Sequence, residues 1–189
     1  MTESELLADC LRRLNRVGVV YYLTGSMASN YWGVPRTTHD LDFVVQLPTS
    51  AVPRVVEQFG GEFYIEESAV RAAYRSPHQF NAIDTRSGLK VDFWLPGPEP
   101  FDRETLRRRV NVTLLGEPAW ICTAEDVILH KLLWNRISPS DRQIGDAAGV
   151  VAVQADDLDR SYLRAWAREL GLTDELERIL SGQAGPKET

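Results

Sequence analysis

A mixed α/β core of about 120 residues followed by a helical C-terminal part is the fold class predicted by this sequence, and three observations predict it. Short apolar runs rich in β-formers alternate with segments of helical period up to Cys122. Two of those runs flank a glycine-containing turn, the pattern of a hairpin. From Thr123 onward only the helical period remains. The 189 residues suit one domain with a helical appendage, and 43% hydrophobic with 25% charged residues is ordinary for a globular chain, which excludes a disordered or coiled-coil protein. The expected division is a core over 1–122, a helical subdomain over 123–181 and a loose polar tail over 182–189.

The elements follow in order. Leu6, Leu7, Cys10, Leu11 and Leu14 recur at helical spacing behind a Thr2 to Glu5 capping box, and Gly18 ends that helix. Val19–Leu23 reads as a buried strand, Gly25–Tyr31 as a turn into a short helix, and Leu41–Val45 as a second buried strand, with a loop holding Gly33 and Pro35 between. Ala51–Phe59 reads as a helix with Pro53 in its first turn, closed by Gly60 and Gly61. Phe63–Ile65 is a further strand, and Ser68–Arg75 favours helix. Phe80–Asp84 and Leu89–Leu95 form the hairpin across Thr85-Arg86-Ser87-Gly88, and Pro96, Pro98 and Pro100 stop its second strand. A basic segment, Arg103–Arg109, precedes strand-like runs over Val110–Leu115 and Ala119–Ile121, split by Gly116 and Pro118. Helices are then expected near Ala124–Asn135, behind a Thr123 to Asp126 cap, and over Asp141–Gln154, Asp159–Leu170 and Thr173–Leu180.

Composition removes several function classes. No apolar run approaches the roughly 20 residues that cross a bilayer, and Met-Thr-Glu-Ser-Glu is no secretory leader, so a cytoplasmic protein without membrane attachment is expected. The two cysteines, Cys10 and Cys122, each stand alone in apolar contexts and read as buried packing residues. With 27 acidic against 21 basic side chains the net charge is -6, so a nucleic-acid partner would need a local basic patch.

The chemistry is concentrated in Thr24-Gly25-Ser26 and, thirteen residues after Ser26, Asp40-Leu41-Asp42. Residues i and i+2 of a strand point the same way, so Asp40 and Asp42 crowd two carboxylates at the mouth of an apolar strand, a costly arrangement unless a divalent cation neutralises it. Oxygen ligands suit Mg2+ or Mn2+. Lys90-Val91-Asp92 repeats the geometry on a strand expected nearby, giving Asp92 as a third carboxylate with Lys90 on the same face. Three carboxylates suffice for a two-metal site that activates an attacking hydroxyl and stabilises leaving pyrophosphate. Gly25 would let backbone approach phosphates closely, and Ser26 with the amides opening the next helix would donate to them.

Gly25-Ser26, that spacing, Asp40-Leu41-Asp42 and Asp92 resemble the signature of the polymerase-β-type nucleotidyltransferase superfamily. Within it, Thr24-Gly25-Ser26-Met27-Ala28 through Arg36-Thr37-Thr38-His39-Asp40-Leu41-Asp42 is similar to the abortive-infection nucleotidyltransferase toxins and their small relatives. The resemblance spans about residues 19–95; beyond them only Lys131 and the Ser140–Asp146 segment match loosely. It implies a mixed sheet flanked by helices, Asp40 and Asp42 on both metals, Asp92 completing the catalytic metal site, and Ser26 on the terminal phosphates. The better-known toxins are longer, so this chain is expected to lack an acceptor-binding region that they possess.

Each feature also has a plainer reading. Asp-x-Asp alone holds metal-bound nucleotide sugars in glycosyltransferases as well. Lys90 is either a solvated hairpin lysine or a phosphate ligand, and His39 is structural. Arg36 either clamps a phosphate or braces its loop on a carboxylate. Lys131 and Arg142 either meet the triphosphate, as the resemblance implies, or lie on solvated faces, Arg142 pairing with Asp146 four residues on. Arg103 with Arg107, Arg108 and Arg109 is either a surface charge run or a grip for RNA phosphates. Trp32, Trp94, Trp134 and Trp166 fit core packing better than base stacking.

The sequence thus predicts a magnesium-dependent enzyme that binds a nucleoside triphosphate, ATP among them, through Gly25, Ser26, Arg36, Lys90, Lys131 and Arg142. With Asp40, Asp42 and Asp92 it would move a nucleoside monophosphate to an acceptor hydroxyl. An RNA 3′ end is the first acceptor choice, a protein second, a small molecule third, and an antitoxin partner fits the toxin resemblance. The rival is a catalytically silent nucleotide- or partner-binding module on the same fold.

Overall fold

A computed structural model of the chain describes residues 1–75 and 78–183, so most of the expected polar tail, 184–189, lies outside the described residues. The chain divides into two compact units, one of residues 1–24 and 38–121, the other of residues 25–37 and the chain from Cys122 on. The segment 25–37, which the sequence groups with the core, thus makes its contacts with the C-terminal helices.

The first unit is built on a seven-stranded mixed sheet among the described residues. Its strands are β1 (Val20–Thr24), β2 (Leu41–Gln46), β3 (Phe63–Tyr64), β4 (Gln79–Asp84), β5 (Lys90–Trp94), β6 (Val110–Leu114) and β7 (Glu117–Ile121). Their order across the sheet is β3-β4-β5-β2-β1-β7-β6, with β2 parallel to β5, β1 parallel to β7 and the remaining neighbours antiparallel. Helix α1 (Glu3–Val17) starts on the expected capping box, Thr2 and Glu5 exchanging both bonds. It packs, with α3 (Val52–Phe59), over one face of the sheet, where Phe43, Phe80 and Phe93 stack and Phe59 meets Phe93 edge-on at 5.4 Å between centroids. Helix α4 (Glu67–Ala72) packs on α3 and β4.

One helix of this unit escaped the sequence reading. The segment treated as strand-ending prolines and a basic run forms α5 (Pro100–Arg108), with Pro100 in its first turn, Asp102 near its N-terminus and Arg107 and Arg108 in its last turn. Those are the dipole-matched signals of a helix, masked by three nearby prolines that suggested irregular chain.

The second unit holds α2 (Gly25–Trp32), α6 (Ala124–Ile137), α7 (Asp141–Gln154), α8 (Arg160–Leu170) and α9 (Thr173–Leu180). Thr123 and Ser140 cap α6 and α7 as their side chains accept the N–H groups of Asp126 and Arg142. Gly33 ends α2 against α7 so closely that a Cβ there would lie 2.7 Å from the Val150 nitrogen. Cys10 and Cys122 are buried free thiols, as expected. The tryptophans depart from expectation: Trp32, Trp94 and Trp166 are half-buried and Trp134 is 43% exposed, because these broad rings sit at the rims of their units while Leu, Val and Phe fill the interiors. No helix among the described residues is long and apolar enough to cross a membrane.

Candidate active site

In the first unit, sheet register assembles the acidic residues. Thr24 lies opposite Asp42, Asp42 beside Asp92, and Asp92 opposite Asn81, so one row crosses β1, β2, β5 and β4 on the face away from the phenylalanine core. Asp40 directly precedes β2, exposed, with its N–H on the Thr38 hydroxyl. Asp92 is 8% exposed. Its Oδ2 sits 2.7 Å from Lys90 Nζ, and its buried Oδ1 has no hydrogen-bond partner among the described residues. The hydrogen bond to Asp92 raises the Lys90 pKa, and the negative charges of Asp92, Asp40 and Asp42 add to it, so all three carboxylates act on one ammonium. Trp94, two residues beyond Asp92, brings its indole nitrogen to 3.5 Å from Asp42 Oδ1. His39 is exposed and paired with Glu3.

The Asp92 strand is anchored at its turn. Asp84 is fully buried and accepts from the Ser87 N–H at 2.9 Å and the Ser87 hydroxyl at 2.6 Å, and it pairs with Arg86. Arg86 reaches on to Asp9 of α1 and to Glu62, and Arg13 of α1 binds Asp9 and Glu62 as well. Five charged residues, Asp9, Arg13, Glu62, Asp84 and Arg86, thereby tie the hairpin to α1, something the sequence showed only as a four-residue turn.

In the second unit the polar residues gather on Asp146. Arg36 binds it in a two-pronged pair, Nε to Oδ1 at 2.7 Å and Nη2 to Oδ2 at 2.8 Å, and Nη2 also donates to Ser26 Oγ at 2.9 Å. Lys131 Nζ lies 2.8 Å from Asp146 Oδ2, with both side chains under a tenth exposed, at 7% and 6%. Asn30 pins the Arg36 backbone in both directions. Burial opposes ionisation of Asp146, but the hydrogen bonds from Arg36 and Lys131 outweigh it and hold the carboxyl below its ordinary range. Gly25 opens α2 with φ 62°, a left-handed conformation that suits glycine.

Sequence-predicted residues therefore fall into two groups, Asp40, Asp42, Lys90 and Asp92 in one unit, Ser26, Arg36 and Lys131 in the other, with the peptide bond from Thr24 to Gly25 joining them in the chain. Arg142 joins neither: it is exposed, its backbone N–H donates to the Ser140 cap of α7, and Asp146 turns to Arg36 and Lys131 instead. The hub role of Asp146 went unread because its partners come from 15 and 110 residues away rather than from the next helical turn. The basic run is spent locally, Arg103 on the Pro98 carbonyl, Arg107 on Glu104, and Arg109 on the Leu106 carbonyl and over the Trp120 ring.

As placed, no three His, Cys, Asp or Glu side chains among the described residues form a group able to hold a metal ion. The donor set nonetheless suits a hard cation. Asp42 and Asp92 are row neighbours, Asp92 Oδ1 is buried without a partner, and Lys90 already supplies a positive charge at that carboxylate.

No family model and no curated protein matches the chain. Solved structures do. The antibiotic-resistance factor ANT(2'')-Ia in solution aligns over 93% of this chain and 96% of its own, with TM-score 0.60 and 14% identity. An antigenic nucleotidyltransferase-like protein from Paracoccidioides brasiliensis aligns over 98% and 94%, with TM-score 0.58 and 15% identity. The chain has the nucleotidyltransferase fold. The lincomycin-bound lincosamide antibiotic adenylyltransferase LnuA shares that fold over 81% of this chain and 98% of its own, with TM-score 0.54 and 12% identity. These likenesses carry the fold expected from the sequence, and not the narrower resemblance to the abortive-infection toxins. On the nucleotidyltransferase fold of this chain, the row Thr24-Asp42-Asp92-Asn81 stands at the meeting of β1, β2, β5 and β4.

Proposed function

We propose that the protein is an enzyme that transfers a nucleoside monophosphate from a nucleoside triphosphate to an acceptor hydroxyl. The observation that carries this reading is the Asp42–Asp92 row with the unpartnered Asp92 Oδ1, on a fold shared with the adenylyltransferase LnuA and with ANT(2'')-Ia, which was solved with adenylyl-2''-tobramycin. Asp40, Asp42 and Asp92 would hold Mg2+ or Mn2+, which when bound neutralises triphosphate charge and acidifies the attacking hydroxyl. Asp92 Oδ1 takes the acceptor proton, the acceptor oxygen bonds to the α-phosphorus, and the bond from that phosphorus to pyrophosphate breaks. Lys90 leaves Asp92 for phosphate oxygens as the carboxylate acquires its new partners. Gly25 and Ser26 receive phosphate oxygens where β1 passes into α2, with Arg36 and Lys131 as the positive charges of that unit. Arg142, exposed in the first turn of α7, would contact phosphate oxygens from farther out.

The test is incorporation of label from each α-labelled nucleoside triphosphate into small-molecule, RNA and protein fractions, with and without magnesium. Transfer that needs magnesium and disappears in Asp42→Ala supports the reading. Tight triphosphate binding without transfer in any fraction identifies a silent binding module and refutes it. A toxin with an antitoxin partner would additionally show growth arrest on expression, relieved in Asp42→Ala.

A further inference from the structure

The row that holds Asp42 and Asp92 continues into β4, and its last member has no part in the chemistry above. Asn81 is the antiparallel partner of Asp92, so its side chain stands on the same face at the spacing of direct cross-strand neighbours. Along β4 the alternation is plain: Phe80, Ala82 and Asp84 are buried, while Asn81 and Ile83 are exposed and Gln79 is half-buried. Gln79 is in turn the partner of Trp94, which approaches Asp42. The face beside the carboxylates therefore offers two primary amides and the edge of an indole. We infer that this β4 face receives the acceptor, and that the acceptor is a small, uncharged or cationic molecule bearing hydroxyl groups, positioned by Asn81 with Gln79 one step along the strand.

The inference rests on the transferase reading and assigns it an acceptor class. A carboxamide both donates and accepts, as recognition of a hydroxyl requires. Charge decides the rest. Of the ionisable groups on this face of β2, β4 and β5, Asp42 and Asp92 are acidic, and the one base, Lys90, is bound to Asp92. A polynucleotide acceptor needs cations that follow its phosphates, whereas here it would meet carboxylates and neutral amides. The densest basic run, on α5 and the residue that ends it, is engaged with its own neighbourhood through Arg103, Arg107 and Arg109. This reverses the acceptor order drawn from sequence, in which RNA came first.

The experiment uses the full chain with magnesium and each triphosphate in three acceptor arms: methyl glucoside with glucosamine as hydroxylated probes, the ultrafiltrate of a cell extract, and a single-stranded oligoribonucleotide with a free 3′ hydroxyl. Pyrophosphate release and label transfer are read together. The expected result is transfer in the sugar or ultrafiltrate arm and none to the oligoribonucleotide. Asn81→Leu, at an exposed position, should raise the KM for that acceptor about tenfold, the worth of one hydrogen bond, with the triphosphate KM unchanged. Label on the oligoribonucleotide, or an acceptor KM unmoved in Asn81→Leu, overturns the inference and leaves the transferase reading intact. Pyrophosphate release in no arm overturns both.

Discussion

At Asp146 two cations converge on one carboxylate in a nearly dry setting, and this fixes what substitution there does. Removing it leaves the Lys131 ammonium buried and uncompensated, so Asp146→Ala should cost about 3–5 kcal/mol of stability in a denaturant titration, with Asp146→Asn losing less. A cost under about 1 kcal/mol would mean that Lys131 reaches solvent by itself. Gly25 is the second telling residue. At φ 62° a β-branched side chain is strained, so Gly25→Val should lower stability by about 1–2 kcal/mol, whereas the same change at a right-handed helical site would be milder. Of these residues the sequence already marked Gly25, Ser26, Asp40, Asp42 and Asp92, because backbone freedom, a hydroxyl and paired carboxylates leave local signatures. Asn81 was silent and Asp146 was read only as a partner for Arg142, since their meaning lies in partners that only folding supplies.

Among elements, legibility follows how local the cause is. Helices α1 and α6 were readable from their caps, and β2 and β5 from apolar runs, because these signals act within a few residues. The parallel pairing of β2 with β5 was not, since it joins segments about fifty residues apart and is set by which faces bury phenylalanine. Helix α5 was lost to its own prolines. The junction of α2 with α7 illustrates a contact no motif announces, and it gives a prediction. With backbone of α7 2.7 Å from where a Cβ would stand, Gly33→Val must move one helix end, and a loss of about 1–3 kcal/mol is expected by thermal or chemical denaturation, while Gly61→Ala, facing open space, should lose only its positive-φ strain.

For the whole molecule, electrostatics set the response to acid. Burial raises the carboxyls of Asp9, Asp84 and Asp146, yet hydrogen bonds from Arg86, Arg13, Ser87, Arg36 and Lys131 outweigh it, so all three have folded pKa values below their ordinary ones. Groups depressed in this way contribute stability that is present above the unfolded value near 4 and lost as pH falls through the folded value. Burial also pushes the His130 imidazole down to about 4, so the unfolded chain takes up that proton first as pH falls below about 6.5. The denaturant midpoint should thus decline from about pH 6.5 and fall more steeply below about pH 4; a midpoint that rises on acidification would contradict these pairings. If the Asp42–Asp92 row is the reaction centre of nucleotide transfer, Asp92→Asn, which keeps the side chain's shape but removes its charge and replaces one acceptor oxygen with a donor, should stop the reaction. The measurement is the rate of pyrophosphate release with triphosphate, magnesium and the acceptor that takes the label, alongside triphosphate affinity by calorimetry. The rate should fall at least about 100-fold with affinity changed only a few-fold, and an Asp92→Asn protein that turns over at the parent rate would show that the row is not the reaction centre.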